Sequence, residues 1–452
     1  MCVVSVFRIL RDLHRVGSPP TGAVGILPTS PRTSIPFLHS PFSILHSPWR
    51  DMLYAVQKKA PSKLTSMQPK HDLLIIGGGV LGAFHAYHAQ RRGLSVVVLE
   101  QSSAPVGATV RNFGQVVPSG MDQHWQQFGR ESLEIYSSIQ QQFDISVLQL
   151  GSIYLASDED ELTLLQELYA IDAANDYSSE LWTQRQCLAK YPQLRSDYCR
   201  GGLYYPDEVS VNPRLMIHQL HRYLQQQPGY SLHLLSCVCE LQDVDDEVEA
   251  RTTDGRTFRA QRAIVCGGSE FRLLFPDVFA ASDLTAVRLQ MLRLKAQSNV
   301  QLPGNVLTGL SIRRYESFSQ CPSWADIKSR ESGDSFEKKW GVHILFKQEA
   351  DGGIILGDSH EYAPAIQADE LNFDLRQDIN DFFLQEGRRI FDLPSWEVES
   401  AWSGVYCQTS HPSGIFTKTM GNNIHIVTGI GGKGMTSSAG FAKHQLQEIY
   451  ND

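Results

Sequence analysis

The distribution of apolar positions predicts a strand–helix–strand unit early in the chain. Residues 72–76 form a short apolar run, as in a strand that is buried on both faces of a parallel sheet, and 95–99 form a second, valine-rich run. Between them the pattern from Val80 to about Arg92 has the period of a helix. This order favours an α/β fold built on parallel strands.

Three glycines separate the first strand from the helix. Gly77, Gly79 and Gly82 form a Gly-x-Gly-x-x-Gly pattern. The first allows a tight turn, the second lets backbone approach a pyrophosphate, and the third lets helix and strand pack closely. Glycine clusters also occur in ordinary loops, but here the strand, the glycines and the helix are in register. The pattern therefore predicts a dinucleotide site at the helix N-terminus.

An acidic residue, Glu100, follows the second strand. Its carboxylate could accept hydrogen bonds from a ribose diol and would disfavour a 2′-phosphate, so NADP is not expected. The fingerprint alone allows either NAD or FAD.

The second half of the chain predicts more strands and a second glycine-rich turn. Strands over 342–348 and 353–357 should pair across the turn between them. Near the end, a strand over 424–428 precedes the turn 429–440, which opens a final helix. This turn is a second candidate for a phosphate or flavin contact, although an ordinary strand–helix turn is the alternative.

Composition limits the classes of partner. The chain has 452 residues, more than one compact core usually holds, so at least two domains are expected. Its net charge of −9 argues against a nucleic-acid partner. No run reaches the roughly eighteen apolar residues of a transmembrane helix. Eight cysteines without a CxxC motif suggest reduced thiols, and a cytoplasmic location is expected.

Residues 1–70 differ from the rest and are expected to be a disordered extension. They hold nine Lys or Arg against two acidic residues, and they are rich in Pro and Ser. Such a composition is typical of an organellar transit peptide. The alternative is that translation begins at Met52 or Met67. In either case the segment cannot supply a core of its own.

Three motifs together resemble the D-amino acid oxidase, glycine oxidase and sarcosine oxidase superfamily. They are the glycine fingerprint, GATVRNFG at 107–114 and GIGGKGMT at 429–436. The resemblance implies a Rossmann-like FAD-binding domain of the glutathione reductase type and a substrate domain with a large mixed β-sheet. The expected FAD-binding segments are 71–145, 201–285 and 396–452, and the expected substrate-domain segments are 146–200 and 286–395.

The resemblance also implies how FAD is held. Gly404 stands where some sarcosine oxidases carry a flavin-linking cysteine, so non-covalent FAD is expected, and the oxygen-activating lysine is expected to be replaced near Ile355. The residues implied for FAD are Gly77, Gly79, Val80, Leu81, Gly82, Glu100, Gln101, Gly107, Ala108, Thr109, Arg111, Asn112, Val238, Gly267, Gly429, Gly431, Gly432, Lys433, Gly434, Met435 and Thr436.

A narrower resemblance suggests a substrate. RNFGQVVPSG, QMLR at Gln290–Arg293, RRYESF at Arg313–Phe318 and GDSHEY at Gly357–Tyr362 are similar to a bacterial branch associated with phosphonate breakdown. The branch implies oxidation of 2-aminoethylphosphonate or its N-methyl form to phosphonoacetaldehyde. The alternatives are a glycine, sarcosine or D-amino acid oxidase, a quinone-linked dehydrogenase acting at a membrane surface, and a protein that keeps FAD without catalysis.

The implied chemistry is hydride transfer from the carbon next to nitrogen to the flavin N5 atom. The protein must position this C–H bond, bind the anionic group of the substrate and keep the amine unprotonated. No catalytic acid or base is assigned, and the sequence shows no spacing typical of a metal site. O2 or another acceptor must take the electrons.

Cations for the substrate anion are expected among the arginines and lysines. Any single one could instead form a structural salt bridge, and any histidine could be structural. Arg314 with Tyr315 is the favoured pair, because a guanidinium fork suits a phosphonate. The candidate cations are Arg111, Arg288, Arg293, Arg314 and Lys433. Substrate contacts are expected from Arg314, Tyr315, His343 and Lys433, and His360 could line the pocket.

Overall fold

The secondary structure is taken from a computed structural model, which describes residues 70–451. The predictions on the N-terminal extension lie outside these residues, apart from Lys70. The strands are β1 (His71–Ile76), β2 (Val96–Leu99), β3 (Gln115–Val116), β4 (Ser152–Ala156), β5 (Glu180–Thr183), β6 (Gly201–Tyr205), β7 (Val209–Ser210), β8 (Tyr230–His233), β9 (Val238–Val244), β10 (Glu247–Thr252), β11 (Thr257–Val265), β12 (Thr285–Leu294), β13 (Asn305–Leu307), β14 (Leu345–Gln348), β15 (Ile354–Gly357), β16 (Glu361–Pro364), β17 (Val398–Gln408), β18 (Phe416–Met420) and β19 (Ile424–Thr428).

Helices alternate with the strands in the first part of the chain and become shorter in the middle. The α-helices are α1 (Val80–Arg91), α2 (Gln123–Gln142), α3 (Glu159–Ala174), α4 (Gln184–Lys190), α5 (Pro213–Gln225), α6 (Pro276–Ala280), α7 (Gly309–Ile312), α8 (Trp324–Ser329), α9 (Phe336–Lys339), α10 (Gln377–Ile390) and α11 (Gly434–Tyr450).

The first sheet has a parallel centre. Within residues 70–451 it contains eight strands in the order β18-β19-β11-β1-β2-β8, with β10 paired to β11 and β9 paired to β10. β1 pairs in parallel with both β2 and β11, and β11 pairs in parallel with β19. All four residues of β2 are buried, as expected for a strand covered on both faces. The strand–helix–strand prediction is therefore confirmed.

The second sheet is larger and mixed. Within the described residues it has nine strands in the order β16-β12-β15-β14-β13-β4-β6-β5, with β17 beside β12. β13 and β4 are parallel, whereas β14 and β15 form the predicted antiparallel hairpin. One face of this sheet packs on α10 through an apolar cluster that includes Phe346, Leu356 and Phe383.

These two sheets agree with the predicted fold class, a Rossmann-like domain together with a large mixed sheet. The domain boundaries remain a prediction. Two strands that the prediction places in the FAD-binding segments, β6 and β17, pair within the second sheet. Among residues 70–451, no helix is both long enough and apolar enough to span a bilayer.

Candidate active site

A cavity of about 700 Å³ has walls from both large sheets. One end lies at the start of α1, at residues 79–81. The wall continues along the loop 107–115 and the turn 429–436. Its other end is formed by the substrate-side residues Arg314, Tyr315 and His343. The structure therefore brings the three predicted motif segments and the favoured substrate residues into one cavity.

Most residues predicted to bind FAD lie in this wall, and four do not. Gly77 and Gly82 lie behind the turn. The two Glu100 oxygens accept the N–H groups of Gly78 and Ser102, each at 2.9 Å. Val238 packs in the core of the first sheet. The wall contains Gly79, Val80, Leu81, Gln101, Gly107, Ala108, Thr109, Arg111, Asn112, Gly267, Gly429, Gly431, Gly432, Lys433, Gly434, Met435 and Thr436.

The first turn has no room for side chains behind it. Gly77 has a φ of +107°, and a Cβ there would lie 2.2 Å from the carbonyl oxygen of Cys266. A Cβ on Gly82 would lie 2.1 Å from the Gly77 oxygen. At the cavity side, the hydroxyl of Thr109 accepts the Val80 N–H at 3.0 Å. The backbone of the turn therefore faces the cavity at the positive end of α1, which suits a diphosphate.

The loop 107–115 is fixed by side chains from within it and from the second sheet. Asn112 donates to the carbonyls of Ala108 and Thr109, and its Oδ1 accepts the Gly114 N–H at 2.7 Å. Lys347 on β14 donates to the carbonyls of Phe113, at 2.8 Å, and Val211, at 2.5 Å. Burial lowers the pKa of Lys347 to about 8.

The second glycine turn also opens a helix beside the cavity. Gly429 and Gly431 have φ values of +73° and +67°, which only glycine adopts without strain. Helix α11 begins at Gly434, and the Thr436 hydroxyl accepts the Val117 N–H at 3.2 Å. The positive end of α11 therefore faces the cavity and would stabilise negative charge there.

Three of the five candidate cations are held by other protein groups. Arg288 is ion-paired with Glu361 at 2.6 Å, and Arg293 is ion-paired with Glu349 at 3.3 Å. Neither arginine lines the cavity. Arg111 lines it but donates to the carbonyls of Val106 and Ser403. Arg288 and Arg293 therefore form the structural salt bridges that the sequence analysis gives as the alternative, with acidic partners outside the cavity.

Arg314 and Lys433 remain as cations of the cavity wall. Arg314 donates to the Tyr362 hydroxyl at 3.2 Å, and within residues 70–451 no carboxylate oxygen lies within 4.0 Å of its nitrogens. Lys433 lies 3.7 Å from Glu316, which is exposed at the rim, and its ammonium lies 5.5 Å from the Trp125 ring centre. Arg314 is therefore the partly buried cation whose charge no acidic side chain neutralises directly.

Beside Arg314 lies a cluster of His343, Asp358 and His360. His343 Nε2 is 2.6 Å from Asp358 Oδ1, and His343 Nδ1 is 3.3 Å from the Ser311 hydroxyl. His360 donates through Nδ1 to the Gly341 carbonyl at 2.9 Å. One nitrogen or oxygen atom from each of the three residues lies within 4.8 Å of the others, a grouping that the sequence did not indicate.

The charges of this cluster follow from burial and from its neighbours. Burial alone would raise the pKa of Asp358, but His343, His360 and Arg314 together hold it below its ordinary value. Burial lowers the pKa of His360 to about 3. Asp358 is therefore an anion and His360 is neutral near pH 7.

The comparison with protein families agrees with this geometry. The model of the family described as FAD dependent oxidoreductase (DAO) matches residues 72–445. The chain belongs to this family. FAD is its cofactor. Three features of the cavity wall fit this group: the glycine turn at Gly79, the N-termini of α1 and α11, and the loop 107–115.

Individual relatives of this oxidoreductase are distant. One subunit of the opine oxidase of Rhizobium meliloti is 24% identical over 249 residues, which is 51% of this chain and 65% of the relative. Monomeric sarcosine oxidase of Streptomyces avermitilis is 23% identical over 226 residues, 47% of this chain and 55% of the relative. The matches thus span about half to two thirds of these relatives. Glycine oxidase from Geobacillus kaustophilus has a similar fold, with a TM-score of 0.68 at 16% identity, covering 85% of this chain and 96% of that one.

The predicted non-covalent attachment of FAD depends on Gly404 and Cys407. Gly404 lines the cavity, and a Cβ there would lie 2.9 Å from the Cβ of Arg111, so the wall has no room for a cysteine without movement. The Cys407 thiol is buried 3.3 Å from the Gly268 carbonyl oxygen, and burial raises its pKa to about 11. Such a thiol is a poor nucleophile.

Two residues of the site are not assigned from the sequence. Asp358 lies within the GDSHEY motif but has no role in the sequence prediction. Lys347 lies directly across the β14–β15 hairpin from Ile355, the position where the sequence predicts that the lysine of the superfamily is replaced. A single charged residue at the end of an apolar run in a predicted strand is the signal that could have found Lys347.

Proposed function

We propose that this FAD-dependent oxidoreductase oxidises the C–N bond of a small amine that carries an anionic group. The preferred substrate is 2-aminoethylphosphonate or its N-methyl form, and the carbon product is phosphonoacetaldehyde. The observation that carries the proposal is the Arg314 guanidinium in the cavity wall, which has no carboxylate within 4.0 Å among residues 70–451. A partly buried cation of this kind is suited to a ligand anion.

A phosphonate suits this position better than a carboxylate does. It has up to two negative charges and three acceptor oxygens, so two of its oxygens can accept from the two parallel N–H groups of a guanidinium. Lys433 supplies a second positive charge in the wall. The sarcosine and glycine oxidases that the chain resembles are named for amino acids, and this supports an amine as the group that is oxidised.

FAD, when bound, accepts the hydride that leaves the carbon next to nitrogen. The residues of this chain have to hold the substrate so that this carbon faces the flavin. Leu289 and Leu345 give the second sheet an apolar surface in the cavity wall, and Tyr315 and Tyr406 extend it toward Arg314. These side chains exclude water around the reacting carbon while Arg314 fixes the anion.

The electron acceptor is proposed to be O2 or another soluble or membrane acceptor. The buried Lys347 pairs with Ile355, near which the resemblance implies that the oxygen-activating lysine is replaced, and its presence there supports O2 as one candidate acceptor. Air reoxidation of the reduced enzyme, compared with reoxidation by a quinone analogue, separates these acceptors. A cytoplasmic location remains a prediction.

The test is a substrate panel in the absence of oxygen. The yellow protein is mixed with 2-aminoethylphosphonate, its N-methyl form, glycine, sarcosine and D-alanine, and loss of the flavin absorbance is followed. We expect the aminophosphonates to reduce the flavin fastest. Faster reduction by glycine, sarcosine or D-alanine would refute the phosphonate preference, and no reduction by any amine would refute amine oxidation.

A further inference from the structure

The cavity wall contains one buried carboxylate beside the predicted anion site. Asp358 directly follows β15 and is 7% exposed. The other described carboxylates of the wall, Glu270 and Glu316, are exposed. An ionised carboxylate at such a position requires a positive partner. His343 contacts it at 2.6 Å, and Arg314, although close, forms no ion pair with it within 4.0 Å.

The proposed substrate carries such a partner, because its amine is protonated in water. We propose that Asp358, held in place by His343, binds the ammonium group of the substrate and takes up the proton that this amine must lose before oxidation. The inference rests on the proposed function. In this arrangement Arg314 binds the anion and Asp358 binds the cation, so the two residues recognise opposite ends of a zwitterion.

The proton step is balanced within the cavity. One N–H bond of the ammonium group breaks, and its electron pair stays on nitrogen as the lone pair. The proton bonds to a carboxylate oxygen of Asp358, which becomes a neutral carboxyl group, and His343, whose Nε2 lies 2.6 Å from Asp358 Oδ1, holds that carboxyl group in place. Asp358 lines the cavity and contacts the substrate. His343 also lines the cavity, but its Nδ1 is directed to Ser311, and it acts as a positioning residue for Asp358.

Several other groups face Asp358 from the elements packed around it, and none of them is a better acceptor. His360 follows on the same loop, its Nδ1 donates to the Gly341 carbonyl, and burial lowers its pKa to about 3, so the ring is a weak base. The remaining neighbours are a guanidinium and neutral phenols, and burial raises the pKa of the phenols Tyr315 and Tyr406. The groups facing Asp358 are His343, His360, Arg314, Tyr315 and Tyr406.

The same three residues, His343, Asp358 and His360, raise the question of a metal ion. Zinc ligands lie about 2.0–2.2 Å from the ion, so two ligand atoms on one ion are separated by about 3 Å or more. The 2.6 Å between His343 Nε2 and Asp358 Oδ1 is shorter than that separation, so these two atoms are not placed as ligands of one ion. The nearby Arg314 charge opposes a divalent cation about twice as strongly as it opposes the single charge of an ammonium group. The geometry therefore favours an ammonium group.

The experiment compares Asp358→Asn with the wild type, both loaded with FAD. Anaerobic rapid mixing measures the rate of flavin reduction by 2-aminoethylphosphonate from pH 6 to 9, and a flavin-perturbation titration measures binding of ethylphosphonate, which has no amine. For Asp358→Asn we expect the apparent Kd of the amine to rise about ten- to one-hundredfold and that of ethylphosphonate to change less than about threefold.

The pH profile separates proton uptake from simple binding. At saturating amine, the wild-type rate of reduction should vary little with pH. In Asp358→Asn it should rise about tenfold per pH unit, because only the small neutral fraction of the amine reacts. His343→Gln should show a weaker rise, and Asp358→Glu should restore most of the amine binding. Asp326→Asn, at an exposed position, is the matched control and should behave as the wild type.

Three outcomes would overturn the inference. The first is an Asp358→Asn enzyme with wild-type amine binding and a flat pH profile. The second is a stoichiometric metal ion in the holoenzyme that Asp358→Asn loses. The third applies if Asp358→Asn does not retain FAD, and it is a pH profile of His343→Gln that is as flat as that of the wild type. If no amine reduces the wild-type flavin, the proposed function itself fails, which is a different result from any of these.

Discussion

Replacing Arg314 by alanine should weaken substrate binding far more than it weakens the fold. In the structure this guanidinium makes one hydrogen bond to a side chain, to the Tyr362 hydroxyl at 3.2 Å, and no ion pair within 4.0 Å among the described residues. The change therefore leaves no carboxylate unpaired. We expect it to lower the free energy of unfolding by about 1 kcal/mol or less.

The expected loss in binding is larger. A hydrogen bond to a charged group contributes roughly 1.5–3 kcal/mol, so Arg314→Ala should raise KM for the aminophosphonate about ten- to one-hundred-and-fiftyfold. The rate of reduction at saturation should fall less, because the guanidinium contacts the anion both before and during the reaction. Arg314→Lys keeps the charge but loses the fork geometry, so its KM should lie between those of the wild type and the alanine variant.

The neighbouring Arg313 provides a control with the opposite behaviour. Its guanidinium is ion-paired with Asp158, Glu161 and Glu331, and it is absent from the cavity wall. Arg313→Ala leaves the buried Glu161 carboxylate without this charged partner, which should cost roughly 3 kcal/mol of stability. Its KM for the aminophosphonate should stay at the wild-type value.

The assay combines steady-state kinetics with urea unfolding and the flavin spectrum for each variant. Arg195→Ala, at an exposed arginine paired with Asp197, reports any non-specific effect of removing a positive charge. The reasoning would be refuted if Arg314→Ala left KM within about threefold of the wild type, or if Arg313→Ala and Arg314→Ala raised it equally. Equal effects would mean that the arginines act through the field of the protein or through the fold.

Three further outcomes are expected. Gly79→Val places a branched side chain at the cavity, where even a Cβ would lie 3.2 Å from the Thr109 hydroxyl, so the purified variant should fold but lose most of its flavin absorbance. Acid precipitation should release all the flavin into the supernatant, because FAD is expected to be bound non-covalently. Cys407→Ser should give the same result, because the thiol is not linked to FAD. Flavin that stays in the pellet would contradict non-covalent binding. In urea unfolding, the free energy of unfolding of the wild type should rise between about pH 8 and 10 by up to roughly 1.4 kcal/mol per pH unit. In this range the folded Lys347 side chain, with a pKa near 8, has released a proton that the unfolded one, with its ordinary pKa of 10.5, still binds. Lys347→Met should remove this rise.

The FAD end of the cavity could be predicted because local sequence determines it. The apolar pattern predicts a helix over 80–92, and α1 spans Val80–Arg91. Gly77 is required by its φ of +107°, and Gly82 by the close approach of helix and turn. Each of these requirements involves residues that are near one another in the chain. Spacing alone therefore indicates them.

Local sequence could not show which arginines on the substrate side line the cavity and which form structural salt bridges. Arg288 and Leu289 are adjacent on β12, and in a strand adjacent side chains point to opposite faces. Leu289 faces the cavity, whereas Arg288 faces Glu361. Because nearly all of β12 is buried, its hydrophobic pattern does not show which face meets the cavity. Only the pairing of β12 with β15, β16 and β17 determines that.

Asp358 and Lys347 show what long-range pairing adds to the chemistry of the site. Each is a charged residue beside an apolar strand, where burial is costly unless a partner compensates it. For Lys347 the partners are two backbone carbonyls of distant segments, which the protein supplies itself. For Asp358 the protein supplies His343 and, at a greater distance, Arg314. The Lys347 charge is thus satisfied by the fold, whereas Asp358 still faces a cavity in which an ammonium group can complete its environment. This difference is why the first residue is expected to control stability with pH and the second is expected to control the reaction with pH.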